Sequence, residues 1–270
     1  MRQVVADLES AAVAFSGGVD STFLLAVARD VLGPERVLAA TAVSASLPAL
    51  ELEMARELAR GLGVKHVIFE SDEMSSPDFV RNSPDRCYYC KQELFVKLKA
   101  LAATEGLKAV VEASNADDEN DYRPGLRAIC ELGIRSPLRE ARLGKADVRA
   151  LSRELGLPTH DKPSFACLAS RIPYGEEITE EKLHRIEKAE ALLRGMGFRQ
   201  FRVRSHDTIA RIELGPDENL HALLEASARA RVIRELKSLG YRYVTLDLEG
   251  YRTGSMNEVL SAGRRKVKLA

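Results

Sequence analysis

From residue 11 to about residue 155, short apolar runs alternate with longer stretches whose apolar positions recur at helical spacing. Residues 11–15, 37–43, 64–69 and 108–112 read as strands, and residues 21–31, 47–62, 91–105 and 147–155 read as helices. Gly156 and Pro158 stop the last of these. Strands separated by helices predict βαβ units and a parallel sheet. The strands are apolar throughout, as expected when helices cover both faces of the sheet. Residues 158–175 are rich in Pro, Ser and Gly, show no period, and read as a linker carrying Cys167. Beyond them the pattern changes. A helix over 176–195 with Thr179 as N-cap is followed by strands at 201–204 and 209–214 that alternate like an antiparallel pair across a short polar turn. A long helix over 220–239, stopped by Gly240, and a strand at 243–248 complete the order α-β-β-α-β of a small α+β domain. The chain thus divides into an α/β part, residues 1–165, and an α+β part, residues 166–270. The tail, residues 263–270, is basic and expected to fray.

Charge narrows the function. The 270 residues carry 40 Lys and Arg against 40 Asp and Glu, a formal net charge of zero. Neutrality speaks against nucleic acid as the main partner, because phosphate-driven binding needs a basic excess. No apolar run approaches the roughly 18–20 residues that span a bilayer, and the N-terminal MRQVVADLES lacks the apolar core of a signal peptide. A cytoplasmic enzyme is the expectation. In that compartment the four cysteines are expected to be thiols or metal ligands rather than disulfides.

Several residue sets carry candidate chemistry. Ser16-Gly17-Gly18-Val19-Asp20-Ser21 lies between a buried strand and a helix. Its glycines let backbone approach a ligand, and the helix that follows offers unpaired N–H groups to an anion. The same string also reads as a capped helix after a glycine turn. It is not a Walker loop, since no Gly-Lys-Ser/Thr follows. A second strand end carries Ala113-Ser114-Asn115-Ala116-Asp117-Asp118, whose carboxylates would face the same crevice and hold a metal, or form a solvated acidic turn. Cys87-x-x-Cys90 with Cys167 makes a set of soft thiols suited to iron–sulfur or zinc, while the pair alone also reads as a redox pair. Cys130, among Leu126, Ile129 and Leu132, reads as a buried core thiol. Arg202 and Arg204 share a strand face, as do Arg211 and Glu213. Paired guanidinium groups suit a substrate phosphate, with Arg171 a further candidate, and Glu190, Glu213 or Asp217 could take a metal. Ordinary strand-edge ion pairing explains the same alternation. The histidines form no metal-binding spacing, and no Gly-x-Ser-x-Gly elbow supports a hydrolase.

SGGVDS resembles the pyrophosphate loop of the PP-loop ATPases, which include asparagine, GMP and NAD synthetases and tRNA-thiolating enzymes. The resemblance implies that Ser16, Gly17, Gly18, Asp20 and Ser21 hold the pyrophosphate of ATP with Mg²⁺. It also implies that Thr41-Ala42-Val43 flank the adenine; Ser114 and Asp118, at the strand end that faces the same crevice, would then lie at the nucleotide. Three further stretches sharpen it: PDRCYYCK at 84–91, DYRPGLR at 121–127 and PSFACLASRIPYG at 163–175. Together they resemble the LarE family, sulfur-insertion enzymes of nickel-pincer cofactor synthesis. That resemblance implies adenylation of a carboxylate of pyridinium-3,5-biscarboxylic acid mononucleotide, its conversion to a thiocarboxylate, and a homo-oligomer. In one version of the family the cysteine at the position of Cys167 gives up its own sulfur and remains as dehydroalanine. In another, three cysteines, here Cys87, Cys90 and Cys167, bind a [4Fe-4S] cluster that carries sulfide from a separate donor. The cysteine set points to the cluster version. The rival readings are a PP-loop tRNA thiolase, an amide-forming synthetase and a nucleotide-binding signalling module. Neutral charge and the lack of Cys/His ribbons weigh against the first, and the lack of a glutaminase-type cysteine at the start weighs against the second.

Overall fold

The computed structural model describes residues 1–120 and 122–260. Asp121 of the DYRPGLR stretch and the basic tail at 263–270 lie outside the described residues. The first half contains helices α1 (Arg2–Ala6), α2 (Val19–Leu32), α3 (Ala49–Gly61), α4 (Pro77–Val80), α5 (Arg86–Thr104), α6 (Gly125–Glu131), α7 (Pro137–Glu140) and α8 (Lys145–Glu154). Its strands are β1 (Ala11–Ala14), β2 (Val37–Val43), β3 (Lys65–Glu70) and β4 (Ala109–Val111). They form a parallel sheet in the order β3-β2-β1-β4.

Side chains alternate across this sheet. Ala11, Val13, Val37 and Ala39 pack with α2 and α3 on one face, whereas Ala12, Leu38 and Ala40 pack with Phe95 and Leu98 of α5 and Ile129 of α6 on the other. Both faces of β1 and β2 are covered, which explains why these central strands carry no polar alternation. The alanines of β1 bring the helices close to the sheet at its centre. Every parallel strand delivers its carboxyl end to the same edge, and the connecting loops gather there.

The second half holds α9 (Glu180–Gly195), β5 (Phe201–His206), β6 (Ile209–Leu214), α10 (Leu220–Leu224), α11 (Ala226–Ser238) and β7 (Tyr243–Leu246). Strands β5 and β6 are antiparallel, and β7 lies parallel to β6, so this small α+β domain has a mixed sheet. Its core joins Ala189 and Leu193 of α9 to Val203, Ile212, Val232, Leu236 and Tyr241. The Thr179 hydroxyl caps α9 by accepting from Lys182 N.

Three expectations change. The single helix over 220–239 is two, parted at Glu225, whose ψ of 137° is extended. In an unbroken helix Leu223 and Val232 would lie about half a turn apart around the axis, at roughly 100° per residue. The break lets both face the core, where each is buried. The 158–175 linker is not a solvated connection. It contains a helical turn over Leu168–Arg171, and Leu168, Ala169 and Ile172 are buried with Phe79, Ile178, Leu183 and Ile186. Cys130 is exposed, because it stands one residue past the buried Ile129 on α6 and so turns away from the core.

Replacing the fully buried Leu236 by Ala is expected to cost about 2–5 kcal/mol by removing methyl groups and leaving a cavity. Thr179→Ala is expected to cost about 1 kcal/mol through loss of the cap. Chemical denaturation of both variants checks the two figures.

Candidate active site

A cleft of about 770 Å³ opens at the carboxyl ends of the parallel strands. Ser16, Gly18, Asp20, Ser21, Thr41, Ser114 and Asp118 line one part of it, and Cys90 and Cys167 line another. Two groups expected from separate stretches of sequence therefore share one cavity.

Gly17 has φ +67°, and a Cβ there would stand 3.2 Å from Ala55 Cα, so both the turn and the approach of α3 require glycine. Within the loop, Ser16 Oγ and Ser21 Oγ are 3.1 Å apart, and Ser21 Oγ donates to Gly18 O at 3.3 Å. Helix α2 begins directly behind, with its first N–H groups at the loop. Asp20 accepts from Asn115 Nδ2 at 3.2 Å and from Lys145, which ties the first loop to the loop after β4. Asp118 accepts from Asn115 N at 3.1 Å and pairs with Arg123 at 2.9 Å. Burial holds its carboxyl above the usual range against the pull of Arg123, and the charges of Asp20 and Glu112 add to the rise. Ser114 donates to Glu112 at 2.7 Å. Thr41 Oγ1 donates to Phe15 O at 2.6 Å and lies 2.8 Å from His66 Nε2, bracing the strand ends at the cleft floor.

Helix α5 starts at Arg86, five residues earlier than the pattern of apolar positions indicated, so Cys87 and Cys90 lie within its first two turns. Cys90 Sγ donates to Glu73 Oε2 at 2.9 Å. Glu73 is buried, and its other oxygen accepts from the hydroxyls of Ser44 and Ser46. Burial pushes the Cys90 thiol well up, and Glu73 adds to that effect, so Cys90 is held as a thiol in this arrangement. Cys167 presents exposed surface to the cleft. The surrounding protein walls still raise its thiol by desolvation, with Cys87 adding to the rise and Arg86 and Arg171 opposing it. Among the described residues, no three His, Cys, Asp or Glu side chains already stand together as a metal site.

The arginines of the second half hold the Cys167 loop by its backbone. Arg171 is fully buried and forms a two-bond pair with Glu190, at 2.9 Å for each bond. Its remaining nitrogen donates to the carbonyls of Ala166 and Cys167. Arg202 donates to Ser164 O and lies 5.3 Å from the Phe165 ring and 4.7 Å from the Tyr251 ring. Burial, with the nearby Arg171, lowers its pKa to about 10. Arg204 donates to Ser170 O at 3.1 Å and pairs with Glu213 at 2.7 Å. Glu213 also takes Arg211 at 2.9 Å, and Glu190 accepts from Val203 N at 3.1 Å. Glu190 and Glu213, two of the three carboxylates expected as metal ligands, are thus engaged by guanidinium groups. Sequence reasoning missed Glu73, Lys145 and Lys162. A signal for Glu73 existed, because it follows the end of β3 and strand ends feed the crevice.

Breaking the Arg171–Glu190 pair leaves a buried charge uncompensated. Glu190→Gln is therefore expected to destabilise the chain by about 3–5 kcal/mol and to speed alkylation of Cys167 as its loop loosens. Thermal melts and peptide mass mapping after a timed iodoacetamide pulse check both effects.

Residues 1–99, from α1 into α5, match the asparagine synthase family. Similarity to two proteins extends over nearly the whole chain. An uncharacterized protein of Synechocystis, slr1717, is 46% identical over 261 residues, covering 97% of each chain. The pyridinium-3,5-bisthiocarboxylic acid mononucleotide synthase of Lactiplantibacillus plantarum is 44% identical over 264 residues, covering 98% of this chain and 93% of that protein. An uncharacterized protein of Methanocaldococcus jannaschii, MJ0830, is 29% identical over 241 residues. With a nucleotide-type loop and two of the three cysteines on one cleft and this extent of identity, the chain belongs to the LarE family of PP-loop sulfurtransferases.

Proposed function

We propose that this chain uses ATP to adenylate a carboxylate of pyridinium-3,5-biscarboxylic acid mononucleotide and then replaces the activated oxygen with sulfur, a step of nickel-pincer cofactor synthesis. The observation that carries this reading is the shared cleft, which has the SGGVDS loop on one wall and Cys90 and Cys167 on another. The name of the Lactiplantibacillus plantarum relative supports the choice of substrate.

A carboxylate resists substitution because its oxygen leaves poorly. Attack of that oxygen on the α-phosphorus of ATP expels pyrophosphate and turns the oxygen into part of AMP, a good leaving group. The loop N–H groups and the hydroxyls of Ser16 and Ser21 stabilise the charge that builds on the departing phosphates. Asp20 and Asp118, joined through Asn115, are the hard oxygen donors suited to the Mg²⁺ that accompanies the nucleotide. The sulfur step then takes place at the cysteine wall.

Cys87, Cys90 and Cys167 would hold a [4Fe-4S] cluster. Their soft thiols suit iron, and the three lie near enough to perturb one another's ionisation. When bound, the cluster supplies an iron position for sulfide from a separate donor. Cys90 must then exchange its bond to Glu73 for iron. A second reading is favoured by the exposure of Cys167 to the cleft: Cys167 supplies its own sulfur.

Incubation with ATP and the pyridinium compound is expected to yield AMP and pyrophosphate. Failure to form either removes the proposal. Cys167→Ser is expected to keep pyrophosphate release while the thiocarboxylate product disappears by mass spectrometry, which separates the two half-reactions. Anaerobic iron and acid-labile sulfide analysis then decides the sulfur source. A cluster gives iron with repeated turnover on sulfide, whereas sacrifice of Cys167 gives one turnover and a loss of about 34 Da, the mass of H₂S, from the protein.

A further inference from the structure

Four arginines are buried among the described residues. Arg171 and Arg204 are matched by the carboxylates of Glu190 and Glu213, and Arg202 gives its bonds to the carbonyls of Phe201 and Ser164. Arg86, only 4% exposed, is built differently. Its Nη1 donates to Asn82 Oδ1, its Nε is buried with no hydrogen-bond partner, and its guanidinium carbon stands 4.9 Å from the centre of the Tyr174 ring. The amide and the phenol are both neutral. Asn82 Nδ2 is committed to the carbonyls of Ile172, Pro173 and Glu176, at 3.3, 2.7 and 2.9 Å, so the amide turns its oxygen to Arg86. Glu73, the buried acid beside Cys90, has its oxygens on Cys90, Ser44 and Ser46 and forms no ion pair with Arg86. Arg86 therefore carries a buried positive charge with no carboxylate partner among the described residues. Holding such a charge is unfavourable unless an anion offsets it.

Its place in the fold names the anion. Arg86 directly precedes Cys87 on α5, the helix that also carries Cys90. Tyr174 and the carbonyls that fix Asn82 belong to the stretch that follows Cys167, and Gly175 N donates to Asn82 O at 3.0 Å. The guanidinium is thus wedged where the helix of two cysteines meets the loop of the third. Desolvation raises the Cys167 thiol, and Arg86 is foremost among the cations that oppose the rise. As thiols the three cysteines carry no charge. As ligands they do. A dicationic [4Fe-4S] core held by three thiolates keeps one negative charge, and a hydrosulfide on the remaining iron adds another. A single soft divalent ion on three thiolates is negative as well.

We propose that Arg86 is a positioning residue of the sulfur wall, the buried counter-charge for the negative charge that Cys87, Cys90 and Cys167 acquire together when they take a metal. This role rests on the cluster reading above. On loading, three S–H bonds give their protons to water and three sulfur–metal bonds form. Nothing is oxidised or reduced, and Arg86 keeps its proton and makes no bond to the metal. The charge is stationed before the metal comes, so the chain without metal bears the penalty of an unmatched cation and the loaded chain is relieved of it.

The test compares R86M, R86K and R81M in the full-length chain, all carrying C130S to remove the one other cysteine. Arg81 is exposed and lies 3.6 Å from Asp78, so R81M controls for a general change of charge. Anaerobic titration with Cd²⁺ alone, read from the ultraviolet sulfur-to-metal charge-transfer band, is expected to show about tenfold or more weaker binding in R86M, the scale of one charge lost beside a partly buried site. R86K keeps the charge and recovers most of the affinity, and R81M behaves as the parent chain. Without metal, R86M is expected to melt at or above the temperature of the parent, because an unmatched buried cation is gone. After reconstitution with iron and sulfide, R86M is expected to hold its cluster at a more negative reduction potential. Cd²⁺ affinity in R86M within about twofold of the parent would overturn the role, whatever the melt shows. If R86M does not fold, R86Q carries the same comparison. If the parent chain takes up no iron, the cluster reading fails, while the Cd²⁺ titration still decides whether Arg86 serves the three sulfurs.

Discussion

The two-bond contact between Arg171 and Glu190 sits in the interior, where neither group meets solvent. A buried ion pair contributes little net stability compared with apolar packing, but any arrangement that separates the partners is heavily penalised. That penalty fixes position. Glu190 belongs to α9 and also receives the N–H of Val203 on β5, while Arg171 holds the carbonyls of Ala166 and Cys167. One interaction thus aligns a helix, a strand and the loop that carries Cys167. Arg202 and Arg204 add their own bonds to the carbonyls of Ser164 and Ser170, so the loop is held along its length.

Beside Cys90 a single buried acid gathers its contacts in a similar way. Glu73 gathers two hydroxyls and the Cys90 thiol, so its buried carboxylate is hydrogen-bonded on both oxygens. The nucleotide end is tied by Asn115 and Lys145, which bind Asp20 from the loop after β4 and from the start of α8. The cleft is therefore assembled from polar contacts between loops, whereas the sheet beneath it is held by apolar packing.

The boundaries of β2 and β6 were legible because apolar period and turn residues agree there. The parallel sheet followed from strands without polar alternation, and the glycine loop from its place after the first of them. Legibility failed where tertiary packing overrides local pattern. Residues 158–175 look like a linker in composition, yet Leu168 and Ile172 fill a joint with Phe79 and Ile186. Helix 220–239 breaks so that Leu223 and Val232 can share a core. Cys130 has apolar neighbours in sequence but points away from them. At the site, Cys87, Cys90, Cys167 and the SGGVDS residues were visible as motifs. Lys145, Lys162 and Glu73 were not, because each is defined by what it reaches across the fold rather than by the residues beside it. The arginine–carboxylate alternation of β5 and β6 was visible, but its partners, loop carbonyls forty residues or fewer away, were not.

The joint around Phe79 has a mechanical consequence. Cys87 and Cys90 ride on a helix of the nucleotide-binding half, whereas Cys167 is fastened by side chains of the other half. The spacing between the sulfurs therefore depends on how the two halves are seated, and the apolar plug of Phe79, Leu168, Ile172 and Ile186 joins them together with the bonds of Asn82 to the carbonyls of Ile172, Pro173 and Glu176. Engineering that grafts this nucleotide half onto a foreign partner would preserve the fuel-burning end and lose the sulfur geometry, unless the plug travels with it.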